Sequence, residues 1–465
     1  MSFGGLYISI SGLQASRQSL NTVSHNIANA NNVNYVRQSA IHTNNPYTKS
    51  ADSRLEMGTG VNVSQIRQIR DEFLDLKLRR EMASFGYHNS KSQILEDVEG
   101  IFNEITNSGL QKVMDEFWNN WSELSNEADS LTIRGLVHES AVAMTETVNH
   151  LSNQLNDIKQ NLNKEITIKV EETNSLLNKI ALINKSIKVV EGENSKVKAN
   201  DFRDERNALL DRLSELIPIT SYENSYGETI ISLQGKDLVN GSYISKIDMK
   251  TDEKGLGHIY WDKTNDKINL NGLGELAGYI DVRDGSLTNY MNRLDTLVST
   301  VASRINDLHK TGIDLQGMNL GLDFFVGTDG VITAANIKVN PALSNYNKIA
   351  ISKTGGIGDG NIAKEIYEIR NDETLFGSMN IDGYYRDIIL ELGLEREASR
   401  LVADNQGFLI KSIDEKRSSL SDVSLDEEMA DMIKFQHFYS ANSRVINAID
   451  EMIETVVNRV GLVGR

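Results

Sequence analysis

The chain of 465 residues reads as mainly α-helical with small antiparallel β inserts, elongated and divided into several domains. Three stretches carry that reading. From Thr132 to Val190 apolar residues recur at steps of three and four with no proline between them, which predicts one helix roughly 85 Å long at 1.5 Å per residue, a rod and not a globule. In the last forty residues Met432, Phe435, Tyr439, Asn442, Ile446, Ile449, Ile453, Val456, Val460 and Val463 form a heptad seam, interrupted once by the polar Asn442. Between Ile219 and Asn271 the pattern changes to short alternating runs separated by Asn, Gly, Asp and Lys, the mark of a small antiparallel sheet.

In chain order, Leu6, Ile10, Leu13, Leu20 and Ile27 repeat with helical spacing on a background of Ser, Gln and Asn. Two amphipathic terminal helices predict antiparallel pairing as a coiled coil that brings both ends to one pole. An ordinary helical hairpin completing a globular core needs the same stripe. Thr43 to Val63 is polar and carries Pro46, Gly58 and Gly60, so it reads as an extended or hairpin linker. Helical spacing resumes at Ile66, Ile69, Phe73 and Leu76, again at Leu95, Val98, Phe102 and Ile105, and in a short helix with Leu110, Val113, Phe117, Trp121 and Leu124. Trp118 and Trp121 then belong to a packed face, not to an aromatic ligand site. Along the rod helix Met144, Val148, Leu151, Leu155 and Ile158 hold heptad register; Leu162, Ile166 and Val170 step by fours, a stutter, before Thr173, Leu177 and Ile180 resume. Gly192 ends it. Asn200 to Leu216 predicts a helix stopped by Pro218, with its charges on a solvated face.

Ile230–Leu233, Ile244–Ile247, His258–Trp261 and Ile268–Leu270 are the expected strands of the first insert. Leu287, Met291, Leu294, Val298, Val301, Ile305 and Leu308 then keep unbroken heptad register. Phe324 to Lys353 reads as strands with turns at Asp329-Gly330 and Asn340-Pro341, and Thr354 to Asn361 as a flexible Gly-rich loop. Tyr384 to Leu420 predicts a helix carrying Ile388, Leu392, Leu401 and Phe408. The last helix starts at a capping box of Ser424 and Glu427, with Asp426, Glu427 and Glu428 on the positive end of its dipole, and ends near Gly461 or Gly464. The expected organisation is nested: 1–45 and 424–465 form a terminal helical domain, while 46–218, 274–312 and 384–423 form the helical rod. Residues 219–273 are a small β subdomain and 313–383 an outer β-rich insert.

Composition narrows the function. With 48 basic against 65 acidic residues the formal charge is −17, which argues against a nucleic-acid partner. The absence of cysteine excludes disulfides and zinc–thiolate sites. No secretory signal pattern and no apolar run of membrane-spanning length is visible. The eight histidines are scattered without metal-ligand spacing. Gly355-Gly356-Ile357-Gly358-Asp359-Gly360 lacks the Lys-Ser/Thr ending of a phosphate loop, and Asp262, Thr264 and Asp266 lack the Gly and Glu of a calcium loop. No nucleophile elbow is present. The sequence therefore predicts no catalytic, cofactor-binding or metal site.

The residues at the two ends carry a resemblance. Gly12-Leu13-Gln14-Ala15-Ser16, Leu20-Asn21, then Ser24 through Asn26-Ile27-Ala28-Asn29 to Asn31, and Tyr35-Val36-Arg37-Gln38, are similar to the N-terminal signature of flagellar axial proteins. Val423-Ser424-Leu425-Asp426-Glu427-Glu428-Met429, with Phe435-Gln436, Tyr439 to Asn442 and Ile449 to Met452, resembles the matching C-terminal signature. The Ser-Leu-Asp-Glu-Glu form, the segment from Asn200 to Arg206 and the stretch from Gly274 to Asp314 resemble the hook-associated protein 1 family, the hook–filament junction proteins. Where such proteins have a Pro-Gly turn before the Tyr this chain has Val33-Asn34, and Asn34 is expected to take the left-handed position. The resemblance implies a structural protein exported unfolded through the flagellar type III apparatus without a cleaved signal. Its expected partners are further copies of itself in a ring, the hook protein, a second hook-associated protein, and an export chaperone on the C-terminal helix. A hook or distal-rod protein, or a coiled-coil adhesin, are the alternatives.

Overall fold

In the computed structural model residues 4–49, 56–102, 109–192, 198–253 and 255–459 are described. The expected Ile105 and the seam residues Val460 and Val463 lie outside them. The frame is a 61-residue helix, α4 (Leu131–Glu191), capped at its start by the Ser130 hydroxyl accepting from the Ile133 amide and closed by Gly192 at φ 52°. One face of α4 serves two cores. Ile133, Val137, Met144, Val148, Leu155 and Leu162 pack with α2 (Glu72–Phe102), α3 (Leu110–Asn126) and α7 (Leu287–Thr311). Ile166, Val170, Leu177 and Ile180 pack instead with α5 (Asn200–Leu216) and the β insert. The change of core falls between Leu162 and Ile166, inside the stutter. A four-residue step rotates the apolar stripe and so hands it to a different set of neighbours.

The insert comprises β5 (Thr220–Glu223), β6 (Thr229–Leu233), β7 (Lys236–Asn240) and β8 (Tyr243–Ile244), an antiparallel sheet in chain order, followed by the hairpin of β9 (Ile247–Thr251) and β10 (Gly257–Trp261). The expected strand Ile244–Ile247 is split: Ile244 closes the first sheet and Ile247 opens the hairpin. Ile268–Leu270 is not a strand, although Ile268 and Leu270 are buried in the second core. The chain then enters α6 (Glu275–Asp281) and, through a π-helical turn at Val282–Ser286, α7. Arg283 in that turn is fully buried and donates to Asn163 Oδ1 (2.7 Å) and the Gly257 carbonyl (2.8 Å), which ties the insert to α4.

Two longer stretches also depart from the expected pattern. Ile66 and Ile69 do not start a helix. Ile66 sits in β4 (Val61–Gln68), paired antiparallel with β1 (Gln38–Asn44), and α2 begins at Glu72 after the Asp71 side chain accepts from the Phe73 amide. Val61 and Val63 alternate as in a strand, and the step of three to Ile66 is taken up by the register shift opposite Ile41 and His42, an irregularity that spacing alone does not reveal. Phe73 and Leu76 are consequently exposed. A shorter pair, β2 (Thr48–Lys49) with β3 (Glu56–Met57), extends this hairpin.

The stretch 313–383 is not β-rich either. Its strands are two residues each, β11 (Phe325–Val326) with β12 (Lys338–Val339), followed by 3₁₀ turns and α8 (Asn361–Ile369). Its buried residues, among them Phe324, Phe325, Leu343, Ile349 and Ile366, join the core of α3, α4 and α7, where Trp118 and Trp121 are also buried. Side chains satisfy backbone groups that a sheet would otherwise pair. Asn306 alone accepts from the Phe324 and Phe325 amides (2.8 Å each) and donates to the Phe325 carbonyl (2.8 Å). The Gly-rich loop is likewise held by Asp359, which accepts from the Lys353 and Thr354 amides (2.9 and 2.8 Å). Last come α9 (Ile381–Ser421), packed along α2, and α10 (Leu425–Arg459), packed along the N-terminal helix α1 (Gly4–Asn29).

Candidate assembly site at the chain termini

α1 and α10 run antiparallel. Gly5 lies near Ile449, Gly12 near Asn442, and Asn26 bonds Glu428. The face that α1 presents to its partner is not the expected one. Ser9, Ala15, Ser16, Ser19, Thr22, Val23 and Asn26 are buried, whereas Leu6, Leu13, Leu20 and Ile27 are half-buried and Ile10 is exposed. Gly5, Ser9, Gly12, Ser16, Ser19, Val23 and Asn26 themselves repeat at alternating fours and threes, a heptad of small residues. Small side chains let two helices approach closely. A Cβ added at Gly12 would stand 2.7 Å from Asn442 Oδ1. This seam carries almost no hydrophobic signal, so the larger Leu and Ile stripe beside it dominated the sequence pattern.

On α10 Met432, Phe435, Asn442, Ile446, Ile449 and Ile453 are half-buried, while Tyr439 and Val456 are exposed. Among the described residues of α10 only Glu428 is buried. Met429 and Ile433 on one side of this seam, and Phe438, Val445 and Met452 on the other, are open to solvent.

The motif residues converge where this helix pair meets the rod. Asn26 is satisfied on every side. Its Oδ1 accepts from the Tyr35 hydroxyl (2.7 Å) and the Gln38 amide (3.0 Å), and its Nδ2 donates to the Gln38 carbonyl and to Glu428 Oε2 (2.9 Å each). Arg37 donates to Glu428 Oε1 (2.6 Å) and Glu427 Oε2 (2.7 Å), and its amide donates to the Ser421 carbonyl (2.8 Å). Glu427 therefore serves Arg37 and not a capping box, although the Ser424 carbonyl does accept from the Glu428 amide (3.0 Å). Asn29 donates back to the His25 carbonyl (3.0 Å), while Ala28, Leu425 and Asp426 are exposed and take no part. The preceding reversal does not use a left-handed Asn34. Asn32 makes it, its side chain accepting from the Asn34 amide (3.2 Å) and its carbonyl from the Tyr35 amide (3.0 Å), with Val33 fully outward.

α5 completes the clamp, and the expected solvated face there is a correction. Asn200 and Asp204 are buried. Gln38 Nε2 donates to Asp201 Oδ1 (2.9 Å), Asn200 Nδ2 to Gln38 Oε1 (3.0 Å), and Asp204 accepts from the Val36 amide (3.2 Å) and Gln68 Nε2 (2.6 Å). Helical charge spacing could not have revealed these partners, which lie some 130 to 170 residues away; only the family resemblance of this segment pointed to it. Burial pushes the Asp204 carboxyl up to about 7, against the opposing pull of the Val36 amide and Arg70. Burial, with Asp201, Asp204 and Glu428 nearby, also raises the Tyr35 hydroxyl well above its usual range, so it stays a donor. Burial disfavours charge on Arg37, but Glu428 and Glu427 outweigh it and hold the guanidinium above its ordinary pKa. The arrangement is a polar knot, buried at Asn26, Gln38, Asp204 and Glu428, that links the terminal pair to the rod.

Comparison with known proteins bears on both parts. Residues 95–325 match the family model of the flagellar hook-associated protein FlgK helical domain. Residues 6–35 match that of the flagella basal body rod protein, and 416–459 that of the flagellar basal body rod FlgEFG protein C-terminal region. Flagellar hook-associated protein 1 of Bacillus subtilis is 32% identical over 100% of this chain and 99% of its own length. The chain belongs to the flagellar hook-associated protein 1 family. The Escherichia coli protein of the same name is 21% identical, covering 97% of this chain and 98% of its own. The solved structure of the flagellar hook junction protein FlgK from Burkholderia pseudomallei shares the fold with a TM-score of 0.64 at 12% identity, over 75% of this chain and 100% of that one. Membership makes the chain a structural component of the flagellar axial assembly and not an enzyme.

Proposed function

We propose that the chain is a junction subunit between hook and filament that assembles through the α1–α10 pair, with the knot at Asn26, Arg37 and Glu428 fixing the angle at which the pair leaves the rod. The observation that carries this is the mismatch at the termini. The ends are joined to the rod by a fully satisfied polar network, yet their apolar surface is left uncovered: Ile10 on α1 and Met429, Ile433, Phe438, Val445 and Met452 on α10 are exposed. In a single chain that surface has no occupant, and neighbouring axial subunits would supply one. The partners are further copies in a ring, the hook protein on one side and a second hook-associated protein on the other. Before assembly the subunit travels unfolded through the flagellar type III apparatus without a cleaved signal, and an export chaperone holds Met432 to Val463 as a helix in a groove. The test is a strain lacking the gene: electron microscopy should find hooks without filaments, restored by the intact chain and not by one ending at Val423. Filaments on the deletion strain would refute the junction role.

A further inference from the structure

The last turn of α7 carries a buried histidine. His309 is 1% exposed and stands edge-on to the Phe324 ring, 5.5 Å between centroids. Both of its ring nitrogens are committed. The Leu322 carbonyl lies 2.7 Å from Nδ1 and can only accept, so Nδ1 carries the proton. The Ala350 amide donates to Nε2 (3.0 Å), so Nε2 keeps its lone pair. These partners fix a neutral ring in one tautomer. One side chain thereby staples three passes of the chain. They are the end of α7, the return at Leu322 of a loop exposed from Gln316 to Gly321, and the segment at Ala350. The charges acting on the ring are Arg134 from α4 and Asp323 from the returning loop. Arg134 is itself buried, with its guanidinium on the Ile349 carbonyl, and Asp323 is held by Lys310 (2.8 Å). Beyond Ala350, Asp359 is taken up by the Ser352 and Thr354 hydroxyls (2.9 and 2.8 Å). His138 on α4, beside Glu139 (3.0 Å), lies against Tyr346.

We propose that His309 is an acid-sensitive latch: a proton on its ring releases the two stretches it holds, 312–322 and 346–352, while the rod helices stay folded. The latch sits on the rod and does not depend on the assembly reading above. The added proton goes to Nε2, the ring's one lone pair, and removes the acceptor of the Ala350 amide. Two donors then face each other 3.0 Å apart, with a positive charge shut away from water. Between the two stretches the chain keeps ties that do not titrate. Asn306 holds the Phe324 and Phe325 amides, and Asn149 donates to the Ile337 carbonyl (3.0 Å), so the opening is local. Burial holds the closed ring below its ordinary 6.5, with Arg134 on the same side and the Leu322 carbonyl and Asp323 against it. The open state therefore binds the extra proton. Closure is fully favoured above that value and weakens as pH falls below it, by up to about tenfold in the open-to-closed ratio per pH unit.

Hydrogen exchange of the full-length chain at pH 7.5 and 5.5, corrected for the intrinsic pH dependence of amide exchange, tests the latch. Peptides covering 313–322 and 346–352 should open up to about tenfold more often at the lower pH, and those from 133–162 on α4 should not change. His309→Gln, which does not titrate, should abolish the difference, and His138→Gln should leave it in place. No difference in the native chain, one that survives His309→Gln, or one lost with His138→Gln overturns the proposal. A second measurement does not depend on any variant folding. In nitrogen NMR of the native chain with labelled histidine, the His309 ring should show the neutral Nδ1–H tautomer at pH 7.5. It should then charge in step with loss of protection at the Ala350 amide. A His309 ring that charges while that amide stays protected, or that is already charged at pH 7.5, overturns the latch.

Discussion

Asn26→Ala isolates the polar knot. The substitution removes four hydrogen bonds at once and leaves the Gln38 amide and carbonyl, the Tyr35 hydroxyl and one oxygen of Glu428 without that partner. Gln38, Tyr35 and Glu428 are all buried, so water does not readily replace the lost bonds. Each buried orphan costs ~1–3 kcal/mol, and two or three of them amount to ~3–6 kcal/mol. That is enough to open a local unit and too far from the apolar cores to melt them. Hydrogen exchange of the full-length monomer reads both regions together. Peptides spanning 20–44 and 425–440 should lose protection, while those from 133–162 on α4 keep theirs. Unchanged protection at the termini would mean the knot contributes nothing. Loss along α4 as well would mean it is part of the main core, and either result refutes the reasoning. Asn26→Asp sharpens the test, because it sets a carboxylate where Nδ2 met Glu428 at 2.9 Å. It should be at least as damaging as Ala near neutral pH and should recover in acid as the carboxylates take up protons.

Three further outcomes follow from the same geometry. A carboxyl whose pKa is higher folded than unfolded holds an extra proton in the folded state. For Asp204, about 7 against an ordinary 3.8, the knot should therefore lose protection as pH rises between those values, and Asp204→Asn should flatten the profile, read by hydrogen exchange at pH 5 and 8. Gly12→Leu forces a side chain into Asn442 and should separate the terminal pair at a cost of ~1–3 kcal/mol, with Asn442→Ala restoring part of the loss in the same exchange measurement. Trp121→Ala, in the core of α3 and α4, should cost ~3–5 kcal/mol and lower the main thermal transition, whereas Phe408→Ala on the open face of α9 should leave it within error.

Much of this architecture was written in periodicity. The heptads of α4 and α7 belong to long helices buried along one side, and the stutter in α4 marks where one core gives way to the other. Periodicity failed where other forces chose the conformation. In 313–383 the backbone is satisfied by Asn306, Asp314 and Asp359, side chains whose reach no alternation reveals. On α1 the contact face is made of Gly and Ser, which pack by being small, while the louder Leu and Ile stripe faces partly outward. The motif residues Asn26, Tyr35, Arg37, Gln38 and Glu428 were visible from the family resemblance. Their fourth wall, Asn200 and Asp204, looked like a charged helix surface because its partners come from distant parts of the chain.

Ile446→Asp tests most directly whether the terminal pair is an assembly surface. Ile446 is half-buried on α10 and belongs to neither core. Burying such a side chain is worth ~1.5–3 kcal/mol, and a carboxylate in its place costs several more. With Lys434→Ala on the exposed side of the same helix as control, Ile446→Asp should leave monomer expression and the melting of the cores unchanged. The cells should build hooks without filaments, release the chain into the medium and stop swimming. Normal swimming, or a mutant monomer that unfolds as a whole, would show that this seam closes the fold of one chain and does not join one subunit to the next.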